Sequence, residues 1–259
     1  QTSDLVTQDV GMEYCEKLGI NTLVTNKVVN GKTYSDNTKT LALGGLTDGV
    51  YNYELCSAYA AIANNGVYNK PTLYTKVLDH DGNVLLDGTS ESHQAIKDST
   101  AGLLTSALQT VVEEGTGKAC QLDNMPVAGK TGTTNDKKDG WFCGYTPYYT
   151  TVVWVGYDSP KTLDDLYGST YPLTIWQDYM EKIHENLEYE DFQSYKGESS
   201  INHKSTDSSA NSYDTPSETL DPEAVDNTAE PDKTTKPVAS KAPTKTQEPA
   251  QTTAPTQEP

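Results

Sequence analysis

A 259-residue chain with a formal net charge of −18, whose nineteen basic residues are all Lys, has no basic cluster with which to hold nucleic acid or anionic lipid headgroups. Its four cysteines, Cys15, Cys56, Cys120 and Cys143, form no C-x-x-C pair, which excludes zinc-ribbon and thioredoxin-like sites while leaving disulfide pairing open. The longest apolar stretch, residues 151–157, is far too short to cross a bilayer.

The chain opens without Met and inside a helical pattern, as a piece of a longer polypeptide would. Residues 4–18 space Leu5, Val6, Val10, Tyr14 and Leu18 along one helix face, with Gly19 as the stop. Residues 24–41 are polar and predict irregular chain, leading into the apolar turn Leu41-Ala42-Leu43-Gly44-Gly45-Leu46. Residues 53–64, rich in Ala, suit a tightly packed helix ended by Gly66. Residues 72–78 and 84–86 flank Asp79-His80-Asp81-Gly82-Asn83, a hairpin signal built on Asp-Gly. Asp98 or Ser99 then caps a helix with Leu103, Leu104, Ala107, Leu108, Val111 and Val112 on one face and Gly115 at its end.

Three strand-like runs follow, at 127–133, 141–145 and 149–157, and their short connections predict an antiparallel meander. Residues 173–187, with Ile175, Trp176, Tyr179, Met180 and Ile183, predict a last amphipathic helix packed on that sheet. Residues 1–195 thus read as one globular unit. Residues 196–259 are dominated by Ser, Thr, Pro, Glu, Asp, Lys and Gln. So little there can be buried that the segment reads as a disordered tail.

The chemistry is concentrated in Ala128-Gly129-Lys130-Thr131-Gly132-Thr133-Thr134-Asn135. Gly-Lys-Thr also ends a Walker A loop, but that loop needs a glycine where Asn124 stands and a helix where another strand follows. The alternative is a strand bordering an active site. Lys130 supplies positive charge, Thr131 and Thr133 supply hydroxyl donors, and the Thr133 amide can serve an oxyanion. Gly132 leaves room for substrate backbone. This set suits a substrate with a terminal carboxylate beside a reactive carbonyl. Elsewhere, Cys56 and Cys143 read as small buried fillers and Trp141, Trp154 and Trp176 as packing residues. The four histidines, His80, His93, His184 and His203, read as solvated.

The flanking runs carry a resemblance. Residues 126–135, then Asp139-Gly140-Trp141-Phe142-Cys143-Gly144-Tyr145-Thr146-Pro147, then Val152-Val153-Trp154-Val155-Gly156-Tyr157-Asp158 are similar to bifunctional (class A) penicillin-binding proteins. So are the 41–46 turn, the 54–66 helix and Gly115-Thr116-Gly117. The chain resembles the C-terminal part of their transpeptidase domain. The resemblance implies an α+β, penicillin-binding-protein/β-lactamase-like fold present in part, with helices on an antiparallel sheet and the disordered tail beyond. In that family a Ser-x-x-Lys serine attacks the D-Ala-D-Ala bond of a peptidoglycan stem peptide, a Ser-x-Asn motif assists proton transfer, and Lys-Thr-Gly lines the opposite wall.

Carried over, Lys130 and Thr131 would hold the donor carboxylate, while Thr133 would bind it and add an oxyanion amide. Gly115, Thr116 and Gly117 would border the cleft, or serve only as a helix cap. β-Lactams would imitate the acyl donor, and no metal or cofactor is implied. The resemblance also implies work on the outer face of a bacterial cell membrane, an anchor upstream, and completion by an upstream segment of the same domain. The tail would be a solvated spacer or a segment recognising wall polymer.

The sequence departs from the family at one decisive place: no serine is followed three residues later by lysine. Ser35-Asp36-Asn37 fits Ser-x-Asn by letters, but lies downstream of where the family's motif opens a helix; Ser200-Ile201-Asn202 falls in the tail. The chain is therefore expected to be inactive alone. Two other readings stay open, a β-lactamase or D,D-carboxypeptidase relative and a non-catalytic wall-binding or scaffolding module.

Overall fold

The structure, a computed structural model, describes residues 6–193. The predicted tail and the Ser200-Ile201-Asn202 triplet lie outside the described residues. The first helix, α1 (Gln8–Lys17), ends where its sequence directs. Gly19, at φ +85°, donates to Glu16 O at 2.9 Å, and Ile20 donates to Cys15 O at 3.0 Å. Those paired bonds close a helix on a left-handed residue. A side chain at Gly19 would also collide, because a Cβ there would lie 2.3 Å from the Tyr68 hydroxyl.

Residues 24–41, predicted irregular, contain a hairpin of β1 (Lys27–Val29) and β2 (Lys32–Tyr34). It turns on Asn30 at φ 51° and Gly31 at φ 78°, two consecutive positive-φ residues whose twist suits antiparallel strands. A 3₁₀ turn, Lys39–Leu43, then leads to α2 (Asn52–Ala63), close to the predicted span, and Gly66 donates back to Ala61 O at 2.8 Å. Next come β3 (Val67–Asn69), the expected hairpin of β4 (Lys76–Leu78) and β5 (Val84–Asp87), and β6 (Ser92–Gln94). β3 and β6 pair antiparallel around that hairpin, a contact the sequence did not announce.

Helix α3 (Asp98–Glu113) starts one residue earlier than a cap at Asp98 or Ser99 would allow. The cap position is Lys97, which makes no side-chain cap bond, and the Asp98 carboxylate accepts from the Ser99 amide at 2.7 Å inside the first turn. Its buried face is rotated from the predicted one, keeping Val112 buried and Leu108 and Val111 half-buried. Ala101, Thr105 and Val112 face inward, whereas Leu103 and Leu104 are exposed among the described residues. The helix lies close on the sheet, where small side chains fit, and Thr105 Oγ1 bonds the Tyr145 hydroxyl at 2.9 Å.

The meander forms as predicted: β7 (Ala128–Thr133), β8 (Asp139–Tyr145) and β9 (Thr150–Gly156) make one antiparallel sheet in that order. Helix α4 (Tyr171–His184) covers one face, starting earlier and stopping earlier than residues 173–187, with Pro172 in its first turn. Trp176 is fully buried, meets Phe142 edge-on at 5.2 Å, and donates from Nε1 to Thr151 O at 3.0 Å. Gly144 makes this seat, since a Cβ there would lie 2.8 Å from the indole. Val112, Cys120, Val127, Leu173 and Met180 complete the core. On the other face α2 lies against β8 and β9, with Asn52 Nδ2 on Val152 O and Cys56 Sγ on Thr150 O. His184, expected to be solvated, is built in: it bonds Thr146 Oγ1 at 2.9 Å and Met180 O at 2.7 Å.

Candidate functional site

Strand β7 changes character along its length. Ala128 and Gly129 are buried, Lys130 is exposed, and the strand then runs out along the wall of a cavity of about 580 Å³. The cavity floor is apolar, with Leu23, Leu41, Leu46, Leu55 and Tyr59, and Cys143 beside them. The polar wall is Lys130, Thr131, Gly132 and Thr133. The Leu41–Leu46 turn, read from sequence as an apolar turn that shares in the family resemblance, lines the same cavity as the strand that carries the candidate chemistry.

Side chains alternate along a strand, so Thr131 and Thr133 present their hydroxyls on one side and Lys130 lies on the other. Each hydroxyl is held from outside the strand. Thr131 Oγ1 is 2.7 Å from Thr116 Oγ1, and Thr133 Oγ1 accepts the Gly168 amide at 2.9 Å. The neighbouring Thr134 is occupied otherwise, accepting the Lys138 and Asp139 amides at 3.0 and 2.9 Å to close the β7–β8 turn. Lys130 Nζ donates to Thr131 O at 2.8 Å and forms no ion pair with a carboxylate among the described residues. A cation and hydroxyl donors are groups with which a protein can hold a carboxylate.

The Gly115-Thr116-Gly117 turn ends the helix and also reaches β7. Gly115 and Gly117 both donate to Val111 O, at 3.1 and 3.0 Å, which carries the chain round so that Thr116 reaches Thr131. Gly168 carries no mark in the sequence that could have singled it out. Its contribution is a backbone amide, which every residue except proline has.

None of the thiols near the cavity is an activated nucleophile. Burial pushes Cys143 up to about 12, with the nearby Lys130 charge only partly offsetting it, and Cys15 is raised by burial and by Glu16. Both are neutral at physiological pH and unreactive. The Ser35-Asp36-Asn37 triplet is a structural knot outside the cavity lining. Asp36 is buried, and its carboxylate accepts the Val24 amide at 2.8 Å, the Thr47 amide at 2.7 Å and the Thr47 hydroxyl at 2.6 Å. Ser35 Oγ accepts the Asn37 amide at 3.2 Å, and Asn37 Nδ2 reaches Asp9 at 2.6 Å. Among the described residues no three His, Cys, Asp or Glu side chains gather as metal ligands, and no helix is long and apolar enough to cross a membrane.

Comparison with known proteins places this geometry in context. Residues 1–181 match the penicillin binding protein transpeptidase domain family. Penicillin-binding protein 1A of Clostridium botulinum is 37% identical over 189 residues, which are 71% of this chain and 23% of that protein. Penicillin-binding protein 1A/1B of Bacillus subtilis is 36% identical over 167 residues, 58% of this chain and 17% of that protein. The chain spans between 17% and 28% of the length of curated relatives such as these. Among solved structures, the penicillin-binding protein PonA1 from Mycobacterium tuberculosis superposes with a TM-score of 0.60 at 28% identity, over 73% of this chain and 53% of that one. The same protein has been solved in complex with penicillin V.

Proposed function

The chain belongs to the penicillin binding protein transpeptidase domain family, and from that premise we propose that it supplies the carboxylate-holding wall of a peptidoglycan D,D-transpeptidase. The nucleophilic serine, with its Ser-x-x-Lys lysine, stands on another segment of the same domain. The observation that carries this reading is the trio of Lys130, Thr131 and Thr133, its two hydroxyls side by side and each held from behind.

The terminal D-Ala carboxylate of a stem peptide lies along the open edge of β7, which side chains from both faces of the strand reach. Its charge is met by the Lys130 ammonium from one face and its oxygens by the two hydroxyls from the other. This seats the preceding carbonyl at the strand edge, where the Thr133 amide stabilises the oxygen as it becomes an oxyanion. The serine hydroxyl adds to that carbonyl and gives its proton to a base on its own segment. The C–N bond then breaks, D-Ala leaves as the protonated amine, and the acyl group remains as an ester. An amine of a second stem peptide takes over the acyl group and completes the cross-link. A penicillin presents a carboxylate beside a strained amide in the same arrangement, and its ring-opened ester persists. The apolar floor excludes water from the ester, which favours the amine acceptor. Such an enzyme works on the outer face of the cell membrane, where its polymer is.

The test is acylation by a fluorescent penicillin in a protein that joins this chain to the Ser-x-x-Lys segment of the domain. Lys130→Ala removes charge that holds the carboxylate. By analogy with losing one oriented oxyanion-hole donor, the second-order rate falls by about 10²–10³. Thr133→Val slows it less, because the backbone amide survives. Unchanged rates in both variants would remove β7 from the substrate site.

A further inference from the structure

The loop between β9 and α4 lies on the candidate site, and its contact is through backbone rather than side chain. A Cβ built on Gly168 would stand 2.5 Å from Trp141 O, 2.6 Å from Gly132 O and 2.7 Å from Gly132 N. Gly168 is thus laid flat against the paired backbones of Gly132 in β7 and Trp141 in β8, at a distance only a glycine allows. From there its amide reaches Thr133 Oγ1 at 2.9 Å.

The loop is fixed independently of that bond. Leu166 is fully buried against Gly140, where a Cβ would come within 2.7 Å of its side chain. Thr170 Oγ1 accepts the Tyr167 amide at 3.1 Å, and Leu163 donates to Lys137 O at 3.1 Å. Lys137 Nζ donates to Asp164 O at 2.6 Å and sits 4.5 Å from the centre of the Tyr167 ring. Gly168 therefore delivers its N–H from a rigid mount.

A hydroxyl has one proton and two lone pairs, and an amide N–H can engage only a lone pair. The Gly168 bond leaves the Thr133 proton unused and restricts the arc in which it points. A threonine free to rotate would spend part of its time with that proton turned to solvent or to its own strand.

Resting on the reading of β7 as the carboxylate wall, we propose that Gly168 is a positioning residue. Its amide fixes the Thr133 hydroxyl as an outward donor and thereby tunes the site to an anionic acceptor, the carboxylate of the acyl donor or β-lactam.

The experiment is a double-mutant cycle on the joined protein described above, using penicillin V and its methyl ester as probes. Gly168→Ala forces the loop off the strand and lowers acylation by penicillin V about tenfold or more, the scale of one hydrogen bond to a charged group. Thr133→Val lowers it too. The double variant reacts no more slowly than the slower single variant, because both changes remove the same donor. With the methyl ester, whose carbonyl oxygen carries no charge, Gly168→Ala and the parent react within about twofold of each other. Thr170→Val, which loosens the loop without adding atoms at 168, gives the same pattern at smaller size and serves if Gly168→Ala does not fold. Multiplying effects in the double variant, or equal slowing of the ester, would make Gly168 a general structural support and overturn the proposal. Slowing by Thr133→Val with no slowing by either loop variant would overturn it too. If Thr133→Val itself changes nothing, the carboxylate role of Thr133 falls, and this proposal falls with it.

Discussion

Asp36 is the residue whose loss should destabilise the fold most legibly. Its buried carboxylate ties Val24 to Thr47, and with them the two ends of the segment that carries the Leu41–Leu46 cavity wall. Hydrogen bonds to a charged group contribute about 1.5–3 kcal/mol each. Three do not simply add. Removing the carboxylate also removes its desolvation cost, and water can reach the vacated amides in part, so the net loss in Asp36→Ala is about 3–5 kcal/mol. For a folded unit of this size that is a melting temperature lower by roughly 6–20 °C. Asp36→Asn keeps an acceptor for the two Thr47 donors but turns an amide donor toward the Val24 N–H, and loses about half as much. Ser35→Ala gives up one exposed acceptor and stays within about 0.5 kcal/mol of the parent. Calorimetry and urea midpoints on the chain measure all three. If Asp36→Ala stays within about 0.5 kcal/mol of the parent, or Ser35→Ala costs as much as Asp36→Ala, the buried tie is not what holds this segment.

Alkali should unfold the protein from within. Burial raises Cys120 and Cys143 from 9.0 to about 12, and Tyr145 from 10.0 to about 12. These groups ionise first in the unfolded chain, so their contribution is intact below pH ~9 and is lost as the pH climbs toward ~12. A melting temperature that holds steady or rises through that window would contradict the burial. At the sheet edge, β9 pairs with β8 alone among the described residues and offers a Val152-Val153-Trp154-Val155 run to any further strand. Light scattering should show the isolated chain self-associating with concentration. A monodisperse, cooperatively unfolding monomer would mean the edge is protected.

What the sequence made legible had strong local chemistry. The Asp-Gly hairpin at residues 79–83, the Ala-rich α2 and the meander around Lys130-Thr131-Gly132-Thr133 all declare themselves through turn residues or hydropathy. The β1–β2 hairpin was missed although Asn30-Gly31 signals it, because its strands are three residues long and face water, leaving no alternation to read. The face of α3 is only partly legible, with Val112 buried as its pattern indicates but Leu103 and Leu104 exposed, because leucines weigh more than alanine and threonine in any hydropathy pattern. Close packing on the sheet selected Ala101 and Thr105 instead. The support behind the two hydroxyls was half legible. Thr116 sits in a turn that the family resemblance had already singled out, whereas Gly168 acts through a backbone amide and through the absence of a side chain. Chain order separates Thr133 from Gly168, and only the folded loop brings them together.

The central claim is that this chain holds the substrate carboxylate and leaves the bond-making serine to another segment. Covalent labelling by a fluorescent penicillin, mapped by mass spectrometry, tests it most directly. The chain alone should take up no acid-stable label, since none of its serines precedes a lysine by three residues and its cavity thiols are held neutral. Joined to the Ser-x-x-Lys segment it should label stoichiometrically, on that segment's serine. Stoichiometric labelling of the isolated chain, at Ser35 or any other of its own residues, would contradict the account.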